Sequence, residues 1–133
     1  VHNSPLESVH FHEVGRMTNI LAVGLIAEMF TSINPTAFVA SPLPLTDGTV
    51  HCAHGSVPNP APATLAQLEG VAVRSYNGTG ETVTPTGVAI LKGLGAQFGP
   101  WPEMLVKHQV TAFAPGKTFE GANGLVFALG QSL

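Results

Sequence analysis

Charge is scarce in this sequence. Only 10% of its 133 residues are Asp, Glu, Lys or Arg, while 44% are apolar. Five basic residues are spread along a chain of formal net charge -3. That excludes the dense positive surface that nucleic acid or an anionic membrane would require. Cysteine occurs once, at Cys52. An internal disulfide framework is thereby ruled out, and a reducing, cytoplasmic compartment fits. Long apolar runs are also missing. The run from Ile20 to Phe30 is too short to span a bilayer and contains Glu28, so it reads as a buried helix. No secretory leader is expected. Aspartate occurs once, at Asp47, and no carboxylate stands out as the third fixed ligand of a hydrolytic metal centre.

What is present is enough for one domain with a real core. So little charge over so much apolar content suggests that part of the surface is covered by a partner subunit or a flanking domain. The opening Val1-His2-Asn3 reads as a chain entered midway. A single domain, 1–133, cut from a longer protein is therefore expected.

Along the chain, Val9 to Val14 is β-prone and stops at Gly15. Thr18 or Asn19 can cap a helix running to about Phe30. Its apolar residues cover nearly the whole circumference, as in a helix buried on most sides. Ala37 to Leu45 reads as a strand interrupted by Pro42 and Pro44, hence an edge or a bent crossing. Asp47-Gly48 signals a hairpin, with Thr49 to Cys52 as the returning strand. Pro58, Pro60 and Pro62 make a stiff wall, followed by a helix from Ala63 to Glu69 that stops at Gly70. Val71 to Tyr76 is a strand. Thr84-Pro85 is a helix start, with Thr as N-cap and Pro in the first turn. Ile90, Leu91, Leu94 and Phe98 then fall on one helical face. Met104 to Phe113 alternates as a half-exposed strand, with Leu125 to Leu129 as its neighbour. The fold class that follows is α+β: a small mixed sheet with hairpins, packed against two or three helices.

Several residues could carry chemistry. His10 and His12 sit two apart on an expected strand, so both point to one face. Cys52 and His54 repeat that spacing just after another strand. Two such pairs supply nitrogen and sulfur donors that could converge on one metal ion, although histidines at strand ends are commonly just solvated. Glu13 is a candidate general base, or a carboxylate that orients a histidine. The segment Thr82 to Gly87, "TVTPTG", puts backbone N–H groups and hydroxyls at a helix start, where an anion can bind. Capped helix starts without a ligand share that feature. His51 and His108 read as surface residues, and Trp101 as a packing plug between prolines.

"VHFHEVG" (9–15), "ASPLPL" (40–45), "CAHG" (52–55), "PAPATL" (60–65) and "GETVTPTG" (80–87) follow in an order and spacing that resemble the LarC family of nickel-insertion proteins. "FGPWPEM" (98–104) is similar more loosely. The resemblance covers residues 1–104 well and 105–133 weakly. It implies insertion of nickel into a pyridinium bis-thiocarboxylate mononucleotide, which gives the nickel-pincer cofactor of lactate racemase. That is a chelatase of the lyase class in the full-length family. The family also implies CTP with manganese or magnesium, handled by a C-terminal domain this chain does not contain. An Asp- and Gly-rich opening motif of the family is likewise absent, so the chain resembles the middle of the full protein.

Laid on these motifs, His10, His12, Cys52 and His54 are expected to hold nickel, with Glu13 as the catalytic candidate. Thr84, Thr86 and Gly87 are expected to hold the phosphate of the precursor. The chain departs from the family where two aspartates four apart are replaced by Thr18 and Ala22. An arginine expected near the C-terminus falls at Val126. Two other readings stand beside the nickel one. The chain could be a non-catalytic scaffold or homo-oligomerisation domain of the same protein. It could also be an unrelated metal-dependent hydrolase with Glu13 as base.

Overall fold

A computed structural model describes residues 4–9, 15–52, 55–113 and 124–133. After a single 3-10 turn at Leu6–Ser8, helix α1 spans Met17–Ile33. Its N-cap is Arg16, two to three residues before the expected caps, and offers no side-chain cap bond. It ends at Asn34, which takes a left-handed φ of 47° and donates its N–H to Phe30 O at 3.0 Å. Asparagine tolerates that conformation better than most residues. Phe30 then meets Phe38 with ring centroids 4.9 Å apart, which ties the end of α1 to the strand that follows.

That strand is bent into β1 (Val39–Ala40) and β2 (Leu43–Leu45), as the two prolines imply. β1 pairs in parallel with β6 (Gln97–Phe98), and β2 pairs in parallel with β5 (Val73–Ser75). Backbone direction shows how prolines are accommodated. Gln97 N donates to Phe38 O and Gly99 N to Ala40 O, so the even-numbered residues face β6. Leu43 N donates to Ala72 O, and Tyr76 N donates to Leu45 O, so the odd-numbered residues face β5. Pro44 faces away from β5, and its missing N–H costs the ladder nothing.

Asp47-Gly48 turns the chain without making a hairpin. β5 occupies one edge of β2, and on the other Pro44 has no N–H and its carbonyl accepts from Thr82, so β3 (Thr49–Cys52) pairs instead with β4 (Gly55–Pro58), antiparallel. The expected proline wall therefore starts as a strand. The helix after it is short, α2 (Pro62–Leu65). Helix α3 spans Pro85–Gly93 with Thr84 as N-cap. Phe98, read onto that helix, belongs to β6, because α3 ends before Leu94 and Gly95 takes a φ of 77°. β7 (Met104–Phe113) and β8 (Gly124–Ser132) form a long antiparallel ribbon with a register shift between Val106 and His108. The class is α+β as expected, and the strands pair two by two, two pairs parallel and two antiparallel.

The core is small. Among the described residues Val50, Val83 and Val88 are its buried apolar members, with Val88 at 0% exposure, and Thr46 and Thr64 are buried beside them. The Thr64 hydroxyl has no hydrogen-bond partner there. Helix α1 was expected to be buried on most sides, yet none of its residues is buried within this chain.

Candidate functional site

The parallel pairing of β2 with β5 puts the carboxyl ends of both strands at one place. Such ends, next to a helix N-terminus, are where parallel α/β arrangements bind ligands. Here the segment 76–84 leaves β5 and enters α3. A polar knot fixes it. The Thr46 hydroxyl donates to Gly80 O at 2.5 Å. Asn59 Nδ2 donates to Thr46 O at 3.0 Å, to Thr46 Oγ1 at 2.7 Å and to Gly80 O at 3.3 Å. Thr82 Oγ1 donates to Pro44 O at 2.5 Å, the carbonyl that faces away from β5. Three phrases far apart in sequence, around Pro44-Leu45, Asn59-Pro60 and Gly80 to Thr84, are thus held together.

Each of these side chains satisfies backbone groups that would otherwise be costly to desolvate. Sequence reasoning missed this knot. Its partners are 13, 21, 34 and 38 residues apart, and no local pattern announces such pairs.

At the start of α3, Thr84 Oγ1 accepts from Gly87 N at 3.2 Å. The cap therefore uses the Gly87 amide. Pro85 has no N–H. Of the first three helical positions only Thr86 carries an amide outside the cap. An anion here would meet the Thr86 amide and the Thr84 and Thr86 hydroxyls. Gln67 braces this turn by donating from Nε2 to Ala63 O and Pro85 O, and Lys92 Nζ donates to Gln67 O at 2.8 Å and Glu69 O at 3.1 Å.

Against that turn lies a cleft of about 500 Å³, walled by Ile20 and Val23 of α1, Gln67, and Pro85, Thr86 and Ala89 of α3. Small-molecule sites commonly have this size and mostly apolar walls. A second cavity of about 240 Å³ shares Val23, Thr86 and Ala89 with the first and continues it along α1 and α3 to Ile26 and Ile90.

Of the four expected metal ligands, only Cys52 lies among the described residues. His10, His12 and His54, together with the candidate base Glu13, fall outside them. Cys52 ends β3, half-buried, on the same side of the strand as buried Val50. Its antiparallel partner is Gly55, with a φ of 91°, a conformation that suits glycine. His51 faces the other way, exposed, with Nδ1 2.7 Å from Ser56 Oγ across the hairpin. Strand alternation keeps it apart from Cys52. Among the described residues no group of three or more His, Cys, Asp or Glu side chains is placed to hold a metal. His108 is exposed, as expected for a surface residue. Trp101 is also exposed, at 64%, and is not a packing plug among the described residues.

These features define a small α+β fold with a capped helix start, fixed by a polar knot, beside an apolar cleft between α1 and α3. The sequence profile of the family described as "Nickel insertion protein" matches residues 1–131. The chain belongs to that family. A protein of Syntrophotalea carbinolica is 46% identical over 108 residues, 81% of this chain and 27% of that protein. Proteins named pyridinium-3,5-bisthiocarboxylic acid mononucleotide nickel insertion protein are 42% identical in Geobacillus kaustophilus (106 residues, 80% of this chain, 26% of that protein) and 41% identical in Staphylococcus epidermidis (110 residues, 81% and 27%). The chain spans about a quarter of the length of these relatives. No solved structure matches it. Among the described residues no helix is long and apolar enough to cross a membrane.

Proposed function

We propose that this chain is the metal-handling part of a protein that inserts nickel into a pyridinium bis-thiocarboxylate mononucleotide, the precursor of a nickel-pincer cofactor. One observation carries the reading: two relatives named for that insertion are 41–42% identical over four fifths of the chain. Nickel is the cargo. Imidazoles of His10, His12 and His54 and the Cys52 thiolate are borderline and soft donors that hold nickel and can yield it to the thiocarboxylate sulfurs of the precursor. Glu13 serves as base or as the carboxylate that orients a ligand histidine. The precursor's phosphate rests at the start of α3 on Thr84, Thr86 and the turn at Gly87, with its ring in the adjoining apolar cleft. CTP with manganese or magnesium is used by parts of the protein beyond this quarter, in the cytoplasm. The product serves lactate racemase and related enzymes.

The test is transfer. The chain is loaded with nickel, mixed with the purified precursor, and metallated product is followed by mass spectrometry. The reading expects transfer that is lost in a Cys52→Ser/His54→Ala variant. A variant that transfers as well as the unaltered chain, or an unaltered chain that gives no more product than nickel salt alone, would sink it.

A second reading, a non-catalytic scaffold or homo-oligomerisation domain, is favoured by α1, none of whose residues is buried within the chain. It expects no nickel retention at all.

A further inference from the structure

Helix α1 carries one charged residue, Glu28, in 17. Met17, Ile20, Leu21, Val23, Leu25, Ile26, Met29 and Ile33 are all exposed. At about 100° per residue these positions, with Phe30, encircle the helix with no gap wider than about 60°. Two opposite stripes result. Ile20, Val23 and Ile26 face the groove between α1 and α3, which holds cavities of about 500 and 240 Å³. Met17, Leu21, Leu25 and Met29, spaced four apart, point the other way.

We infer that α1 is an interior helix of a larger fold, and that its groove with α3 and its outer stripe are both covered by another segment of the same polypeptide, drawn from the family chain outside these 133 residues. The alternative occupant is a second copy. A two-fold contact between α1 helices buries one stripe on each, roughly 100° wide, and leaves the other stripe wet. A helix apolar all round needs neighbours on both sides. The relatives have the material, since the matched region is only 26–27% of their length.

The ribbon makes the same demand. Leu125 and Phe127 lie on one face of β8 and Val126 on the other, and all three are exposed. Among the described residues its strands pair only with each other. An isolated two-stranded ribbon is marginal in water. The inference does not depend on nickel handling.

Hydrogen exchange read by mass spectrometry on the peptide covering α1 tests it. The 133-residue chain is compared with the full-length Geobacillus kaustophilus relative, each at two concentrations. In the chain alone, α1 amides should exchange within about tenfold of an unstructured peptide, because an uncovered helix of this length is marginal. In the full-length relative the aligned helix should exchange at least about 100-fold more slowly, unchanged over about a hundredfold dilution. Protection that fades on dilution would assign the surface to a second copy and overturn the proposal. Fast exchange in both proteins, or equal protection in the dilute 133-residue chain, would overturn it as well.

Discussion

Replacing Thr46 by valine separates two ways in which the site could be held. Thr46 is 3% exposed, and its hydroxyl bridges Gly80 O and Asn59 Nδ2 at 2.5 and 2.7 Å. Valine keeps the volume and removes both bonds. Asn59 retains Thr46 O at 3.0 Å and Gly80 O at 3.3 Å, so the loss is partial. Two neutral bonds at roughly 0.5–1.5 kcal/mol each give a cost of about 1–3 kcal/mol. For a domain of this size that lowers Tm by roughly 4–12 °C.

Thr46→Ser keeps the hydroxyl and loses one methyl, about 0.8 kcal/mol. Serine should therefore be the milder change. If packing rather than the knot held this corner, the order would reverse, because valine fills the site and serine does not. Thermal and urea unfolding followed by circular dichroism reads the order directly. A Thr46→Val variant as stable as the wild type, with Thr46→Ser the weaker of the two, would show that packing and not the hydroxyl holds this corner. A double-mutant cycle with Asn59→Ala should show coupling above about 0.5 kcal/mol.

Three further outcomes are expected. Val88→Ala removes two methyl groups from a fully buried position on α3 and should cost about 2 kcal/mol in urea unfolding. Thr84→Ala removes the acceptor of the Gly87 amide; stability should fall by about 1 kcal/mol, and inorganic phosphate or a mononucleotide should protect this variant less than wild type against heat. Gly130→Ala would place a Cβ 2.5 Å from Leu105 O, beside the register shift of the ribbon. Backbone cannot yield cheaply there, so amide protection along β7 and β8 should be lost while that of α3 is kept.

Much of the fold was legible because local chemistry announces it. Thr84-Pro85 marks a helix start by cap and fixed φ, and α3 begins there. The alternation from Met104 gives β7 with its bounds, although the strand is exposed on both faces after Met104 and not half-exposed as expected, and β8 extends on both sides of the expected Leu125 to Leu129. The two prolines between Ala37 and Leu45 foretold a bent crossing, which the split into β1 and β2 bears out. What failed depended on distant partners. Asp47-Gly48 has hairpin chemistry, but β5 takes one edge of β2, and on the other Pro44 has no N–H and its carbonyl accepts from Thr82. Gln97-Phe98 is too short to show a period and becomes a strand only because Phe38 and Ala40 offer carbonyls.

Apolar residues all round α1 led to the expectation of a buried helix, which the structure does not bear out, since none of its residues is buried; a pattern of apolar residues states a demand for burial without naming what meets it. At the site, Thr84 and Thr86 were visible as a capped start. The knot that orients them was not, since Thr46 and Asn59 look like ordinary turn residues. Cys52 keeps its place at the end of β3, whereas the partners proposed for it lie outside the described residues.

Whether the chain holds nickel through these histidines is read by calorimetric nickel titration, on this chain and on a His10→Ala/His12→Ala variant, near neutral pH and in acid. The account predicts micromolar or tighter binding that disappears in the variant and weakens in acid, where the ligands must first lose protons. No binding to the unaltered chain, or binding that the double substitution leaves untouched, would contradict it.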